Sequence, residues 1–162
     1  MSGLLRYIDY FEEISDKMFI PRIDREDGLV LYSIVSMLVD RGKRFVAVDA
    51  GAGVGYSTIW IAASLEDLCV EGVVYAVEWS SKRFEVLKQG LEKIRAKCIE
   101  IKPINRDALE FIKEIREEID FVFVDIEKSL YRAFFNEAVK KIRRGGVIAF
   151  HNAYVTMDQF RD

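Results

Sequence analysis

Histidine occurs once in this chain of 162 residues, cysteine twice, and the side-chain amides number five: Gln89, Asn105, Asn136, Asn152 and Gln159. Disulfides and metal staples are not needed to hold the fold. At this length about 70% of the unfolded chain's surface is buried on folding. Cys69 ends a predicted helix and Cys98 opens a predicted strand; both are expected to be reduced core thiols in a cytosolic protein. Few amides beside many Lys, Arg and Glu is a composition found in thermophile proteins. No apolar run is long enough to span a bilayer: the longest, "LVLYSIVSMLV" at 29–39, falls short. The N-terminal "MSGLLRYIDYFEE" carries acids early and has no apolar core, so it does not read as a secretory signal. There is no basic excess either. A net charge of −3 argues against a nucleic-acid partner, which requires a concentrated basic face. Repeats, low-complexity tracts and Ser/Gly/Pro linkers are absent, so residues 1–162 are expected to form one cytoplasmic domain.

What is present alternates. Leu4, Ile8, Phe11 and Met18 fall near one face of an amphipathic helix over 3–18, and 25–40 reads as a second, more apolar helix. These N-terminal helices, 1–40, precede a core over 44–151. In that core five short apolar runs read as strands: "RFVAVDA" (44–50), "GVVYAVE" (72–78), "CIEIKPI" (98–104), "IDFVFVD" (119–125) and "GGVIAFH" (145–151). Helical patterns over 56–68, 81–96, 107–118 and 129–144 separate them. Strands alternating with helices mean right-handed βαβ units and an α/β, Rossmann-like, doubly wound parallel sheet, expected in order 3-2-1-4-5. Ligands bind such sheets outside the carboxyl ends of the strands. The residues there are Asp49, Glu78, Asn105 to Asp107, Asp125, and His151 with Asn152.

The first turn is "VDAGAGVGYS" (48–57). Gly51, Gly53 and Gly55 permit a sharp turn and a close approach to a ligand. A dinucleotide fingerprint requires a third glycine where this chain has Tyr56. Asp49 inside the turn repels a pyrophosphate and attracts an ammonium group. Glu78 either accepts hydrogen bonds from a ribose diol or faces solvent, with Ser80 or Ser81 capping the next helix. Asp107 opens "DALE", a capping-box pattern with Glu110 reaching back, and is also placed to accept from an exocyclic amine. Tyr56 and Trp79 flank these acids and either stack on a purine or simply pack. An acid after each of the first three strands suits S-adenosylmethionine, whose amino group, ribose and adenine each meet a carboxylate.

Over roughly residues 25–156 the chain resembles the class I methyltransferases, and within them the cation-dependent O-methyltransferases of the catechol and caffeoyl-CoA type. "VDAGAGVGYST" is similar to their glycine motif. The resemblance implies that Asp49 holds the cofactor's amino group, Ser57 its carboxylate, Glu78 the ribose, and Asp107 with Ala108 the adenine. "DFVFVDIEKSLY" (120–131) resembles the fourth-strand motif Asp-x-x-Lys-x-x-Tyr. It implies Asp125 as a metal ligand and Lys128 as a base or charge partner for an acceptor hydroxyl. The plainer roles are a helix cap and a solvated lysine, although a cation at the start of a helix opposes the dipole.

At the end of the fifth strand the family has an Asp-Asn pair that completes a magnesium site; here the pair is His151-Asn152. Magnesium prefers oxygen ligands, whereas imidazole suits zinc, nickel, iron or copper. Three readings stand: a transition-metal site of Asp125, His151 and Asn152, a metal-free site with His151 as general base, and a histidine that only hydrogen-bonds a strand end. The family fold continues into a helix and two antiparallel strands, six and seven, which "AYVTMDQFRD" is too short to supply. A bare fifth strand is normally covered, so the expectation is either a fragment or a second copy over that edge. "KKIRR" (140–144) reads as helix-terminal cations complementing the dipole rather than an RNA contact.

The expected activity is methyl transfer from S-adenosylmethionine to a hydroxyl of a small-molecule acceptor. Its rivals are a metal-independent methyltransferase acting on nitrogen or a larger substrate, a silent cofactor-binding or assembly domain, and a nicotinamide oxidoreductase.

Overall fold

β1 (Phe45–Ala50) is buried at all six positions, as a strand in the middle of a sheet covered on both faces must be. The computed structural model describes residues 3–40 and 42–153. In it β1 is followed by β2 (Gly72–Glu78), β3 (Ile99–Asn105), β4 (Ile119–Val124) and β5 (Ile142–Phe150). All pair in parallel, in the expected order β3-β2-β1-β4-β5.

Helices α1 (Ile8–Lys17), α2 (Arg25–Leu38), α3 (Tyr56–Asp67) and α4 (Ser81–Leu91) share one core with Phe11, Val35, Ile59 and Leu87. Helices α5 (Ala108–Glu114) and α6 (Tyr131–Ala138) share the other, with Ile112, Tyr131 and Phe134. Alternation along β1 sends Phe45 and Ala47 to the first core and Val46, Val48 and Ala50 to the second. Asp49 therefore projects toward the side of α3. Gly28 in α2 lets that helix lie on α3: a Cβ there would come within 2.3 Å of the Trp60 ring.

Two expectations are corrected. The sixth helix stops at Ala138, and Ile142 to Arg144 belong to β5 rather than to a helix end. Ile142 pairs with Ile119, and the Ile119 amide donates to the Lys141 carbonyl at 2.9 Å. Packing Ile142 against the second core outweighs continuing the helix. Arg143 consequently pairs with Asp120 and donates to the Leu38 carbonyl at 3.0 Å. A register shift between Ile119 and Phe121 takes up Gly145, at φ +82°, and Gly146, whose Cβ would lie 2.9 Å from the Asp120 carbonyl.

The second correction concerns the thiols. Cys69 and Cys98 form a disulfide across 29 positions of sequence. The turn leaving α3 brings them together: Glu66 accepts from the Lys97 and Cys98 amides at 2.8 and 3.0 Å, which docks the approach to β3 against the end of α3. Among the described residues β5 pairs only with β4. The tail expected to leave that edge bare, from 154 onward, lies outside the described residues.

Cross-linking a loop of this length should contribute about 3–4 kcal/mol by chain entropy. Denaturant melts of the chain with and without reductant should differ by that amount, and the Cys69→Ser/Cys98→Ser double variant should be insensitive to reductant. A wild-type melt that reductant leaves unchanged would contradict the bridge.

Candidate functional site

The glycine turn is shaped by what it packs on. Gly51 has φ +95°, and a Cβ there would lie 2.2 Å from the Asp125 carbonyl, so only glycine lets the turn close onto the end of β4. Gly51 and Ala52 both donate to the Val77 carbonyl, at 3.0 and 2.9 Å, tying the turn to β2. Gly55 has φ +111° and backs onto Phe11 and Leu87. Gly53 faces the opening, with Ile20 as its near neighbour.

Beneath the turn Asp49 is wholly buried. Its Oδ2 accepts from the hydroxyls of Ser57 (2.8 Å) and Thr58 (2.5 Å), both in the first turn of α3. Its Oδ1 is buried with no hydrogen-bond partner among the described residues. Burial foremost, with added repulsion from Asp125 and Glu78, pushes the Asp49 carboxyl up to about 6.

Glu78 ends β2 and is only 2% exposed, which removes the solvent-facing reading. Its Oε2 accepts from the Gly53 amide at 3.0 Å; its Oε1 accepts from the Ser80 amide at 2.9 Å and from Arg83 Nε at 3.0 Å. Ser80 caps α4. Asp107 caps α5 by accepting from the Glu110 amide at 3.0 Å, while the Glu110 carboxylate turns to Lys113 instead of reaching back. Trp79 is 69% exposed and Tyr56 is 3% exposed. Tyr56 is therefore a packing residue, donating to Glu12 at 2.8 Å, while the exposed Trp79 ring has the Arg83 guanidinium 5.8 Å from its centroid. A cleft of about 660 Å³ runs past Gly51, Gly53, Glu78, Trp79, Asp107, Ala108, Asp125 and Lys128.

At its β4 end four side chains meet. Lys128 donates to Tyr131 Oη (2.6 Å), Asp125 Oδ1 (3.2 Å) and the His151 carbonyl (3.3 Å). The Tyr131 hydroxyl donates onward to that carbonyl at 2.8 Å. His151 Nδ1 lies 3.2 Å from the same Asp125 Oδ1, and its Nε2 is 3.8 Å from Asp27 on α2. Burial alone lowers the Lys128 ammonium; the Tyr131 hydroxyl and the Asp125 charge outweigh it and raise it above the ordinary lysine value. Asn152 is exposed and sits at φ +52°, a left-handed strand-end position.

A family model described as "Methyltransferase domain" matches residues 48–153. The chain belongs to this methyltransferase family. A caffeoyl-CoA O-methyltransferase of Populus kitakamiensis is 30% identical over 124 residues, 73% of this chain and 51% of that protein. A tapetum-specific methyltransferase of Arabidopsis thaliana is 28% identical over 124 residues, with the same 73% and 51% coverage. The chain thus spans about half the length of the curated relatives it matches. An O-methyltransferase from Bacillus cereus, solved in complex with SAH, shares the fold with TM-score 0.74 at 24% identity, over 97% of this chain and 72% of that one.

Within this methyltransferase domain, Asp49, Ser57 and the glycine turn form one group. Glu78, Trp79, Asp107 and Ala108 line the cleft beyond it, and Asp125 and Lys128 close its end, with His151 3.2 Å from Asp125. Among the described residues Asn152 forms no hydrogen bond or ion pair with them. Sequence reading missed Tyr131, Arg83, Asp27 and Arg22. For Tyr131 a signal existed, since it is the last residue of the Asp-x-x-Lys-x-x-Tyr spacing. Asp27 and Arg22 come from the N-terminal segment, and only the tertiary fold brings Asp27 to His151 and Arg22 to the glycine turn.

Tyr131 is fully buried and its hydroxyl bridges Lys128 to the end of β5. Tyr131→Phe leaves the His151 carbonyl only its longer bond from Lys128 and takes one acceptor from the ammonium, which should cost about 0.5–1.5 kcal/mol of stability in a urea melt. An unchanged midpoint would show that the bridge does not hold the strand end.

Proposed function

We propose that the chain transfers a methyl group from S-adenosylmethionine to a hydroxyl of a small-molecule acceptor. The observation that carries this reading is the unpartnered Oδ1 of Asp49. A buried carboxylate oxygen left open at a glycine turn calls for a donor of positive charge. An ammonium group supplies one, and a pyrophosphate does not. The relatives' names and the fold support the same direction.

The remaining cofactor residues follow from the cleft. Glu78 Oε2 carries one internal bond, from the Gly53 amide, and keeps a lone pair for a ribose hydroxyl. Arg83 and Ser80 hold the other oxygen, so the carboxylate cannot swing away. Trp79 offers its face to a purine, and Asp107 with Ala108 forms the wall where the adenine amine ends. Gly51, Gly53 and Gly55 shape the turn beneath, and Tyr56 with Ser57 anchors it to α1 and to Asp49.

When bound, S-adenosylmethionine supplies an electrophilic methyl on a sulfonium: the sulfur–carbon bond breaks in line as the oxygen–carbon bond forms, and the acceptor oxygen gives up its proton. Positioning supplies most of the rate. With His151 Nδ1 donating to Asp125, Nε2, 3.8 Å from Asp27, is left with a lone pair and takes that proton as general base. The Lys128 ammonium keeps Asp125 and the His151 carbonyl in place and offsets negative charge developing on the acceptor oxygen.

A divalent cation does not fit this donor set. Asp125 Oδ1 is shared by an ammonium and an imidazole, and no three His, Cys, Asp or Glu side chains converge as cation ligands among the described residues. A cation there would sit against Lys128. No step in the reaction is routed through a metal.

Among the described residues no helix is long and apolar enough to cross a membrane. A cytoplasmic location belongs to this reading. The Cys69–Cys98 bridge is compatible with it if the source grows hot, because intracellular proteins of hyperthermophiles are disulfide-rich. A second copy over the edge of β5 opposite β4 is the expected oligomer.

Calorimetry should show S-adenosylmethionine binding and NAD ignored. The ligand's ammonium favours ionised Asp49, whose carboxyl is raised to about 6 in the free protein. Affinity should therefore be full above that value and decline as pH falls through it, by about tenfold per unit well below it. NAD bound in preference, or an affinity flat from pH 7.5 to 5, would contradict the assignment.

A further inference from the structure

Asp49 meets only half of an amino-acid terminus. The other half is a carboxylate, and Ser57 is poorly placed to serve it, because its hydroxyl hydrogen is already given to Asp49 at 2.8 Å. Beside the glycine turn a small recess of about 30 Å³ is lined by Pro21, Arg22, Gly53, Tyr56 and Ser57. Arg22 is unusual there. Its guanidinium stands 5.1 Å over the Tyr56 ring. Its outer nitrogens sit 3.7 Å from Glu12 and 3.5 Å from Asp16, within reach of their charge. Its Nε is buried with no hydrogen-bond partner among the described residues.

A buried, unpaired N–H on a permanently charged group is costly, so a ligand that supplies an acceptor is favoured. The segment carrying Arg22 is fastened on both sides. The Ile20 amide donates to the Ser15 carbonyl at 2.9 Å, Ile23 is 2% exposed, and Pro21 restricts the turn between them. The side chain is thereby held over the start of α3. That 12-residue helix has Gly55 at its N-cap and no side-chain cap. Its first turn is where a helix leaves amides without intrahelical partners.

We infer that Arg22 is the carboxylate clamp of the cofactor subsite, pairing through Nε with the amino-acid carboxylate whose ammonium partner sits on Asp49. Arg22 and Asp49 then read the two charges of a zwitterion from opposite sides of the glycine turn. This rests on S-adenosylmethionine being the ligand.

The test compares S-adenosylmethionine with its decarboxylated form, which keeps the sulfonium and the ammonium but lacks the carboxylate. Titration calorimetry of the whole chain should show wild type binding the carboxylated ligand at least tenfold more tightly. Arg22→Met should lose about ten- to a hundredfold in affinity for S-adenosylmethionine, the worth of a hydrogen bond to a charged group. It should lose less than threefold for the decarboxylated form. Arg22→Lys, which keeps the charge without the Nε–H, should fall between. Equal losses for both ligands would make Arg22 a brace for α1 and overturn the inference. So would wild type binding both equally, a result that needs no variant to fold. Wild type binding neither ligand would defeat the proposed function itself, and this inference with it.

Discussion

One buried carboxylate organises this end of the molecule. Asp49 lies in the central strand with no exposed surface and with one oxygen satisfied by two hydroxyls of α3. An ionised group in that position destabilises the empty protein unless the fold compensates, and here it compensates only in part. Strand β1 cannot move to relieve it, because it is hydrogen-bonded to β2 on one side and β4 on the other. The glycine turn above it is fixed too, because Gly51 rests on the Asp125 carbonyl. The rigidity of the sheet therefore leaves Asp49 Oδ1 without a partner among the described residues.

The rest of the cleft is organised by proximity to that point. Glu78 is clamped by backbone amides and Arg83. Asp125 is shared between Lys128 and His151. Three carboxylates thus crowd the carboxyl edge of the sheet, each held by a different set of donors. Only Asp49 lacks enough donors of its own. Covering these groups is α1, whose Glu12 is held down to about 2, chiefly by the Arg25 guanidinium and also by the Tyr56 hydroxyl. The latch between Glu12, Tyr56 and Arg25 joins the N-terminal helices to the glycine turn, and so brings Arg22 beside it.

The sheet was legible because buried parallel strands are continuous apolar runs whose period needs no partner to recognise. The 72–78 run matches its strand end to end. The acids after β1, β2 and β3 were legible because topology alone puts strand ends at the ligand edge. What failed depended on partners distant in sequence. Ile142 to Arg144 carry the cations of a helix end, yet the pairing of Ile142 with Ile119 makes them a strand. Cys69 and Cys98 show no pairing signal until the end of α3 is docked beside β3 through Glu66. The burial of Glu78, the shared oxygen of Asp125 and the orphaned Nε of Arg22 are likewise tertiary facts, invisible to spacing.

A ligand ammonium is expected to bond the buried Oδ1 of Asp49. A crystal structure of the chain grown with S-adenosylhomocysteine, which has the same amino-acid terminus, tests it directly. The account predicts the ligand nitrogen within about 2.7–3.1 Å of Asp49 Oδ1, the range of a charge-assisted hydrogen bond. A ligand whose amino-acid end points away from the glycine turn, with Oδ1 still unpaired, would contradict it.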